Sequence, residues 1–466
     1  MISGSNTSLS IGMIHFKAGD TDGVSLEMDK WREVFQSQGH TVHFCCGNPP
    51  MHADGCTVLP ALAYVGEDAR ALNRGTFETL DDYGDATAYS QAMNVAVLQL
   101  TEDLHAWITS TSLDVLIIEN IWSVGLHPAA AVALGNLVKN HNLHILAHHH
   151  DFYWERVKPV CITCKQAMQL VDQYLPPHIP GIKHVVINSK ARQVLEERKG
   201  ITADIIPNVF DFSPDRWQKD TYNADLRKAF GLKEEDVLIL QATRVVRRKG
   251  IELAISFVQM LEKQLEAYRG ETLYNGRTFS DSSNVVLVLA GSIDHDDGQY
   301  LAELKELARK GHVQLCWIGS SIGHSRTDKR GEKRYSLWDT YVHADLVSYP
   351  SYWEGWGNQL LEAVYAKVPI ALFPYEIYES DIKPAGFSMI ELGKAEHITW
   401  TDQGFAQLPS QELEQAASNA CMVLFNRQAR ADMVESNFKI GEKEFSLATL
   451  QRLLSPYIAM WSKTTW

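Results

Sequence analysis

The chain lacks several features that would place it in a membrane, on a nucleic acid or outside the cell. No apolar run reaches the roughly 18 residues of a spanning helix, and the longest run of small apolar residues, 129–138, is far shorter. The formal net charge of −14 argues against nucleic acid and against anionic lipid as partners. The first residues lack the basic and apolar regions of a signal peptide, so we expect a cytoplasmic protein.

Cysteine is scarce and does not form a recognisable framework. The seven cysteines are an odd number in a chain of 466 residues, which predicts reduced thiols rather than disulfides. Cys161 and Cys164 have the spacing of a zinc or redox pair, but no second pair lies nearby. We interpret them as two reduced thiols, with a metal or redox role as the alternative.

A strand followed by a glycine-rich turn and a helix occupies 344–368 and carries two glutamates. The apolar stretch 344–349 predicts a buried strand, and Gly355 and Gly357 permit a tight turn after it. Glu354 then lies at the carboxyl end of the strand, where the start of the next helix favours an anion. The ordinary alternative is a loop–helix junction with two solvated glutamates.

The helix after this turn is predicted over about 358–367, because Pro369 prevents its continuation. Glu362 follows Asn358 by four residues and therefore lies one turn further along the same face. A carboxylate at that position can accept hydrogen bonds from two vicinal ribose hydroxyls. The pattern is typical of a nucleotide-sugar site.

A second segment, 236–250, is an apolar strand that ends in four cations, although the whole chain is acidic. The cations are Arg244, Arg247, Arg248 and Lys249. Arginine binds oxyanions as a fork and lysine as a point charge, so such a group suits a diphosphate. A solvated basic turn is the alternative interpretation.

Together these residues resemble the retaining glycosyltransferases of family 4, which have the GT-B fold. The resemblance covers nearly the whole chain. It implies that Arg244 and Lys249 hold the leaving diphosphate, that Glu354 lies under the donor sugar and that Glu362 binds the ribose. It also implies retention of the anomeric configuration and no required metal. The remaining donor-binding residues that it implies form the turn and helix start: Gly355, Trp356, Gly357, Asn358, Gln359 and Leu360. Trp356 departs from a common Phe, and Asn358 with Gln359 departs from a frequent Leu-Pro, which bears on donor preference.

The resemblance is consistent with the alternation of apolar strands and helical stretches in both halves of the chain. We expect an α/β protein with two doubly wound Rossmann-like domains facing each other across a deep cleft. The predicted domains are 1–209 on the acceptor side, 210–440 for the donor, and a helix in 441–466 that returns to the first domain. The insert 320–333 is predicted to be a surface loop. The predicted strands are 10–16, 41–45, 114–119, 143–147, 184–188, 237–242, 285–290, 313–318, 345–349 and 370–373.

The loop after the first strand contains Asp22 and Gly23 and opens a helix without a Gly-x-Gly-x-x-Gly fingerprint. By resemblance, Gly23 permits the loop to approach the donor phosphate, and Asp22 touches donor or acceptor hydroxyls. The equally open alternative is that Asp22 or Ser25 only caps the helix.

Three consecutive histidines, 148–150, end the fourth predicted strand of the first half, and His148 and His150 share one face of it. Three interpretations stand: a metal site, which lacks a full ligand set; histidines satisfied by hydrogen bonds; and a sugar contact. By resemblance His150 lies near the donor sugar, and our prediction is no metal. This segment and 21–31 are most similar to the branch that contains mannosylglucosylglycerate synthases.

The sequence therefore predicts a hexosyltransferase that moves mannose or glucose from a nucleotide diphosphate sugar, GDP-mannose or UDP-glucose, to a small soluble hydroxylated acceptor. No further cofactor is expected. Arg244, Lys249, Glu354 and His150 are the predicted catalytic residues. The alternatives are a nucleotide-sugar epimerase on a similar fold, a transferase with a lipid-linked or glycan acceptor, and a two-domain sugar-binding protein.

Overall fold

The computed structural model describes residues 8–19, 22–48, 55–139, 143–155, 160–213, 217–293, 298–329 and 332–463. The chain divides into two compact units. One unit comprises Met1–Val209 together with Leu447–Trp466, and the other comprises Phe210–Ser446.

The first unit contains a seven-stranded parallel sheet in the order β3-β2-β1-β4-β5-β6-β7. The chain passes from β3 to β4 on the other side of β1, so the strand order reverses between β1 and β4. Ligands of such sheets bind outside the carboxyl ends of the strands at this reversal. The strands are β1 (Ser10–Ile14), β2 (Thr41–Cys46), β3 (Cys56–Val58), β4 (Val115–Glu119), β5 (His144–His149), β6 (Ile182–Val186) and β7 (Asp204–Ile205).

Helices cover both faces of this sheet. Val115 and Ile117 of β4 contribute to one core, while Leu116 and Ile118 contribute to the other, because successive side chains of a strand point to opposite faces. The helices are α1 (Gly23–Ser37), α2 (Glu67–Phe77), α3 (Ala86–Thr111), α4 (Ile121–Val124), α5 (Pro128–Leu137), α6 (Lys165–Tyr174) and α7 (Ser189–Lys199).

The second unit repeats the arrangement with a six-stranded parallel sheet in the order β10-β9-β8-β14-β15-β16. Here the strand order reverses between β8 and β14. The sheet strands are β8 (Val237–Gln241), β9 (Val285–Leu289), β10 (Gln314–Trp317), β14 (Leu346–Tyr349), β15 (Ile370–Leu372) and β16 (Ile390–Glu391). The helices are α8 (Leu226–Ala229), α9 (Ile251–Leu265), α10 (Gly298–Lys310), α11 (Leu337–Tyr341), α12 (Asn358–Tyr365), α13 (Ser410–Phe425) and α14 (Arg427–Glu444).

The last helix, α15 (Leu447–Trp461), belongs to the first unit, whereas the chain up to Ser446 belongs to the second. The helix packs on α1, with the rings of Trp461 and Phe35 6.4 Å apart between their centroids. The ten predicted strands are confirmed to within two residues at each end.

The prediction of a surface loop for 320–333 was wrong. Strands β11 (Ile322–Gly323), β12 (Thr327–Lys329) and β13 (Glu332–Ser336) form a small sheet there. Arg326 stabilises it by binding the carboxylates of Asp339 and Asp220. Polar composition alone did not distinguish this ion-paired sheet from a solvated loop. A second small sheet pairs β17 (Thr399–Trp400) with β18 (Ala406–Gln407).

Candidate active site

In the second unit, two loops meet at the reversal of strand order. The loop after β8 includes a short 3₁₀ turn, Arg247–Lys249, and the loop after β14 leads to α12. The backbone N–H of Tyr352 donates a hydrogen bond of 3.1 Å to the carbonyl of Arg248 and joins the loops. Gly250 lies where they touch, with φ of +60°, and a Cβ atom there would be 2.3 Å from the carbonyl oxygen of Pro350. Only glycine permits so close an approach in that conformation.

The two loops bring Lys249 and Glu354 together as a buried ion pair. The ammonium of Lys249 donates to Oε1 of Glu354, and Nη1 of Arg248 lies 3.0 Å from Oε2 of the same carboxylate. The side chains of Lys249 and Glu354 are only 5% and 7% exposed. Burial alone would raise the pKa of Glu354, but the two cations outweigh it and lower that pKa. Glu354 is therefore an anion held between two cations.

The four cations of this segment have different surroundings. Arg247 turns to Glu303, with 2.7 Å between Nη2 and Oε2. Arg248 lies over the ring of Trp353, 5.2 Å from its centroid. Arg244 is exposed, whereas Lys249 is buried, so the alternative of a solvated basic turn does not hold for Lys249. An anion at this edge of the sheet would meet Arg244 and the cations around Glu354.

Glu362 has a different environment, although it lies on the helix that follows Glu354. Its carboxylate is buried in α12 and accepts a hydrogen bond of 2.9 Å from the phenol of Tyr341. Burial and then the charge of Glu362 raise the pKa of Tyr341 well above its usual value, so the phenol stays a donor. A carboxylate that already binds one hydroxyl is suited to further hydroxyl donors.

The residues between the two glutamates divide into backbone and core positions. Gly357 has φ of +116° and precedes α12, so no side chain at that position caps the helix. Trp356 and Leu360 are buried, and the indole packs edge-on against Phe445 at 5.5 Å. Their side chains belong to the core. Gly355, Asn358 and Gln359 are partly exposed at the helix start.

In the first unit, Asp22 caps α1. Its Oδ1 accepts hydrogen bonds of 3.2 Å from the backbone N–H groups of Val24 and Ser25, and its Oδ2 accepts one of 2.7 Å from the Ser25 hydroxyl. Asp22 therefore caps the helix, which was one of the two interpretations of this residue. Gly23 is the first residue of the helix, and residues 20 and 21 lie outside the described residues.

The three histidines separate by strand alternation as predicted. His148 and His150 face Glu119, the last residue of β4, whereas His149 turns to the other side and meets His184 with 3.0 Å between ring nitrogens. Nε2 of His150 hydrogen-bonds Oε2 of Glu119 at 3.1 Å. Nδ1 of His148 lies 2.9 Å from the same oxygen, yet its direction does not satisfy a hydrogen bond.

Ligand atoms of Glu119, His148 and His150 lie within 4.8 Å of one another, a spacing that a metal ion could also use. Three such ligands are too few for a closed structural zinc site but match the number in an open catalytic one, and a direct hydrogen bond joins Glu119 and His150. Cys161 is exposed, Cys164 caps α6, and both are free thiols.

Two residues of this cluster were missed from the sequence, Glu119 and Asn120. Oδ1 of Asn120 accepts hydrogen bonds from the backbone N–H groups of His150, at 2.9 Å, and Asp151, at 3.1 Å. Asn120 itself has φ of +61°, which asparagine tolerates better than most residues. A usable signal existed, because a carboxylate and an amide end an otherwise wholly apolar strand.

Comparison with known proteins defines the class. A sequence profile described as glycosyl transferases group 1 matches residues 223–387, which include the two loops of the second unit. Solved structures share the fold at low identity. Sucrose-phosphate synthase from Thermosynechococcus elongatus has a TM-score of 0.63 at 13% identity, covering 98% of this chain and all of that one. The catalytic domain of starch synthase IV from Arabidopsis thaliana has 0.57 at 13%, with the same coverage. The predicted GT-B fold is confirmed, and the chain is a glycosyltransferase.

Two full-length relatives are more similar. A mannosylglucosylglycerate synthase from Petrotoga mobilis is 36% identical over 94% of this chain and 99% of its own length. One from Thermotoga maritima is 36% identical over 96% of this chain and 99% of its own length. The chain belongs to the group 1 glycosyltransferases, in the branch that contains these mannosylglucosylglycerate synthases. The predicted transfer of a hexose to a small hydroxylated acceptor agrees with both relatives. Over the described part of the chain, no helix combines the length and apolarity needed to cross a membrane.

Proposed function

We propose that this enzyme transfers a mannosyl group from a nucleotide diphosphate sugar, GDP-mannose first, to a small hydroxy-acid glycoside such as glucosylglycerate. The two relatives with 36% identity along nearly their whole lengths support this donor sugar and acceptor through the product in their name. UDP-glucose is the second donor to be tested. Retention of the anomeric configuration is typical of family 4, to which we assign the chain.

The observation that carries the proposal is the Lys249–Glu354 ion pair with Arg248 beside it. These charges lie at the reversal of strand order in the second unit, where α/β sheets bind their ligands. We assign Lys249 and exposed Arg244 to the leaving diphosphate. Glu354 fixes the ammonium of Lys249 and faces the donor sugar.

The remaining assignments follow the same proposal. Glu362 accepts the ribose hydroxyls beside the phenol of Tyr341, and the backbone of Gly355, Gly357, Asn358 and Gln359 supports the diphosphate, with Trp356 and Leu360 holding the turn from the core. Asp22 and Gly23 shape the donor side of the first unit, and His150 contacts the donor sugar. We assign 210–440 to donor binding and 1–209 to the acceptor side.

In this mechanism charge stabilisation supplies most of the rate enhancement. The cations neutralise the diphosphate as its bond to the anomeric carbon breaks, and the acceptor hydroxyl attacks from the same face. The cations occupy the place that Mg²⁺ takes in other transferases, so no metal is required. We place the enzyme in the cytoplasm, where all seven cysteines would remain the free thiols seen here.

A donor panel tests the proposal. Purified protein is incubated with GDP-mannose, UDP-glucose, UDP-GlcNAc or GDP-fucose, with and without glucosylglycerate, and free nucleotide and product are measured. We expect release that depends on GDP-mannose and on the acceptor together, and a product whose anomeric coupling matches that of the donor. Lys249→Ala should abolish the signal, while Arg247→Ala, a matched cation that pairs with Glu303, should keep it. Nucleotide release that needs no acceptor, or an epimerised donor, would contradict the transferase assignment.

A further inference from the structure

The carboxylate of Glu119 is buried and ends β4 beside the reversal of strand order in the first unit. Its side chain is 1% exposed, and its described surroundings include no lysine or arginine within ion-pair distance. A buried carboxylate requires a compensating hydrogen bond or charge. Two imidazoles supply it here: His150 hydrogen-bonds Oε2 through Nε2 at 3.1 Å, and Nδ1 of His148 lies 2.9 Å from the same oxygen.

The next residue in the chain, Asn120, hydrogen-bonds the backbone of the same histidine. Asn120 Oδ1 accepts the backbone N–H of His150 at 2.9 Å, and the Ser123 hydroxyl fixes that amide oxygen at 2.9 Å. Consecutive residues at the end of β4 therefore bind the ring and the backbone of His150. Such double attachment fixes both the position and the rotation of the imidazole.

The hydrogen bond between Glu119 and His150 also determines which ring nitrogen of His150 can contact a substrate. Because Nε2 of His150 is engaged with Glu119, Nδ1 is the ring nitrogen left for a substrate hydroxyl. We propose that Glu119 is a positioning residue for transfer, which holds Nε2 of His150 and leaves Nδ1 to meet the sugar. The role of His150 at the sugar rests on the proposed function, whereas its attachment to Glu119 does not.

The pKa values of His150 and His148 shift in opposite directions, which agrees with a hydrogen bond between Glu119 and His150. Burial lowers the pKa of His150, but the hydrogen bond and charge of Glu119 outweigh it, so the pKa is raised. Burial lowers the pKa of His148, even though Glu119 lies nearby. The charged or titratable groups around His150 are Glu119, Asp151, Glu27, His15, His148 and His149.

The test uses the full chain with isotope-labelled histidine. His150 signals are assigned by their loss in His150→Gln, and ring ¹⁵N shifts report tautomer and pKa. In the parent we expect a proton on Nε2 and a pKa above 6.5, the ordinary histidine value. In Glu119→Gln the pKa should fall, because the hydrogen bond and the charge that raise it are lost. His105→Gln, which changes an exposed histidine on α3, should leave both readouts of His150 unchanged.

Kinetics supply the second readout. Glu119→Gln should lower kcat by about tenfold or more, a loss of about 1.4 kcal/mol from the transition state, with the donor KM little changed. Glu119→Asp, which keeps the charge, should recover part of the rate and serves if the Gln variant does not fold.

An unchanged His150 tautomer and pKa in Glu119→Gln would overturn the inference, as would an unchanged kcat. It is equally overturned if the purified parent holds one equivalent of metal that Glu119→Gln loses. If the parent transfers no sugar from any donor, the proposed function fails, while the NMR readout still reports on the Glu119–His150 contact.

Discussion

The phenol of Tyr341 hydrogen-bonds Glu362 at 2.9 Å, so the two glutamates of the family motif have unlike partners. Glu354 pairs with two cations, whereas Glu362 accepts a hydrogen bond from a phenol. Two carboxylates on one short segment can thus have separate tasks, because a carboxylate that accepts one hydroxyl has lone pairs left for further hydroxyl groups.

Glu362→Gln should weaken binding of the bare nucleoside diphosphate by about tenfold, because a hydrogen bond to a charged acceptor is worth roughly 1.5–3 kcal/mol. Tyr341→Phe should cause a smaller loss. Calorimetry with GDP and UDP measures both. Glu379→Gln, an exposed carboxylate that pairs with Lys383, is the control. If Glu354→Gln loses nucleotide affinity and Glu362→Gln does not, the two roles are reversed.

Lys249→Ala should lower turnover by about 100-fold or more, since it removes a charge aimed at the leaving group. It should also lower the free energy of unfolding by roughly 3–5 kcal/mol, because Glu354 loses its buried partner. The double variant Lys249→Met, Glu354→Leu should regain much of that stability without regaining activity. Urea titrations and donor turnover separate the two effects.

Arg244→Ala should reduce turnover by about 100-fold with little effect on stability, because Arg244 is exposed. Arg247→Ala is the matched control, as this cation lies in the same loop but pairs with Glu303. Equal activity in the parent and Arg244→Ala would remove Arg244 from the diphosphate site.

Stability should fall as the pH is lowered from 6.5 to 4 because of His184. Burial, and after it the charge of His178, lower the pKa of His184 from 6.5 to about 4. In that window the unfolded chain binds the proton and the folded chain does not, so protonation favours unfolding. The shift of about 2.5 units corresponds to roughly 3 kcal/mol. Urea midpoints at several pH values should show a flatter dependence for His184→Gln than for the exposed His105→Gln.

Transfer should persist after exhaustive EDTA treatment in detergent-free buffer. The cations of the second unit supply the positive field that a metal would otherwise provide. Activity restored only by added Zn²⁺ or Mg²⁺ would point instead to an ion, with Glu119, His148 and His150 as the first place to look.

Much of this molecule can be read from its sequence, because apolar strands alternating with helices leave a strong periodic signal. The strands that escaped prediction, such as β7 with two residues, are too short to carry that signal. We predicted the candidate site where glycines and charges follow a strand, as at Glu354 and Gly355. The burial of Lys249 was not predicted. It depends on how the loop after β14 covers the loop after β8, and the local sequence of neither loop specifies that contact.

Gly250 makes an informative position for a mutational library. Two independent constraints apply to this position. Its backbone is left-handed, and a Cβ atom built on it would lie 2.3 Å from the carbonyl oxygen of Pro350, which is too close. Asparagine satisfies the first constraint but not the second, so it should fail there almost as badly as valine. In a library that randomises this junction to broaden the donor range, we therefore expect every variant with a substitution at 250 to be inactive. Gln359 is partly exposed, so substitutions at that position should be tolerated.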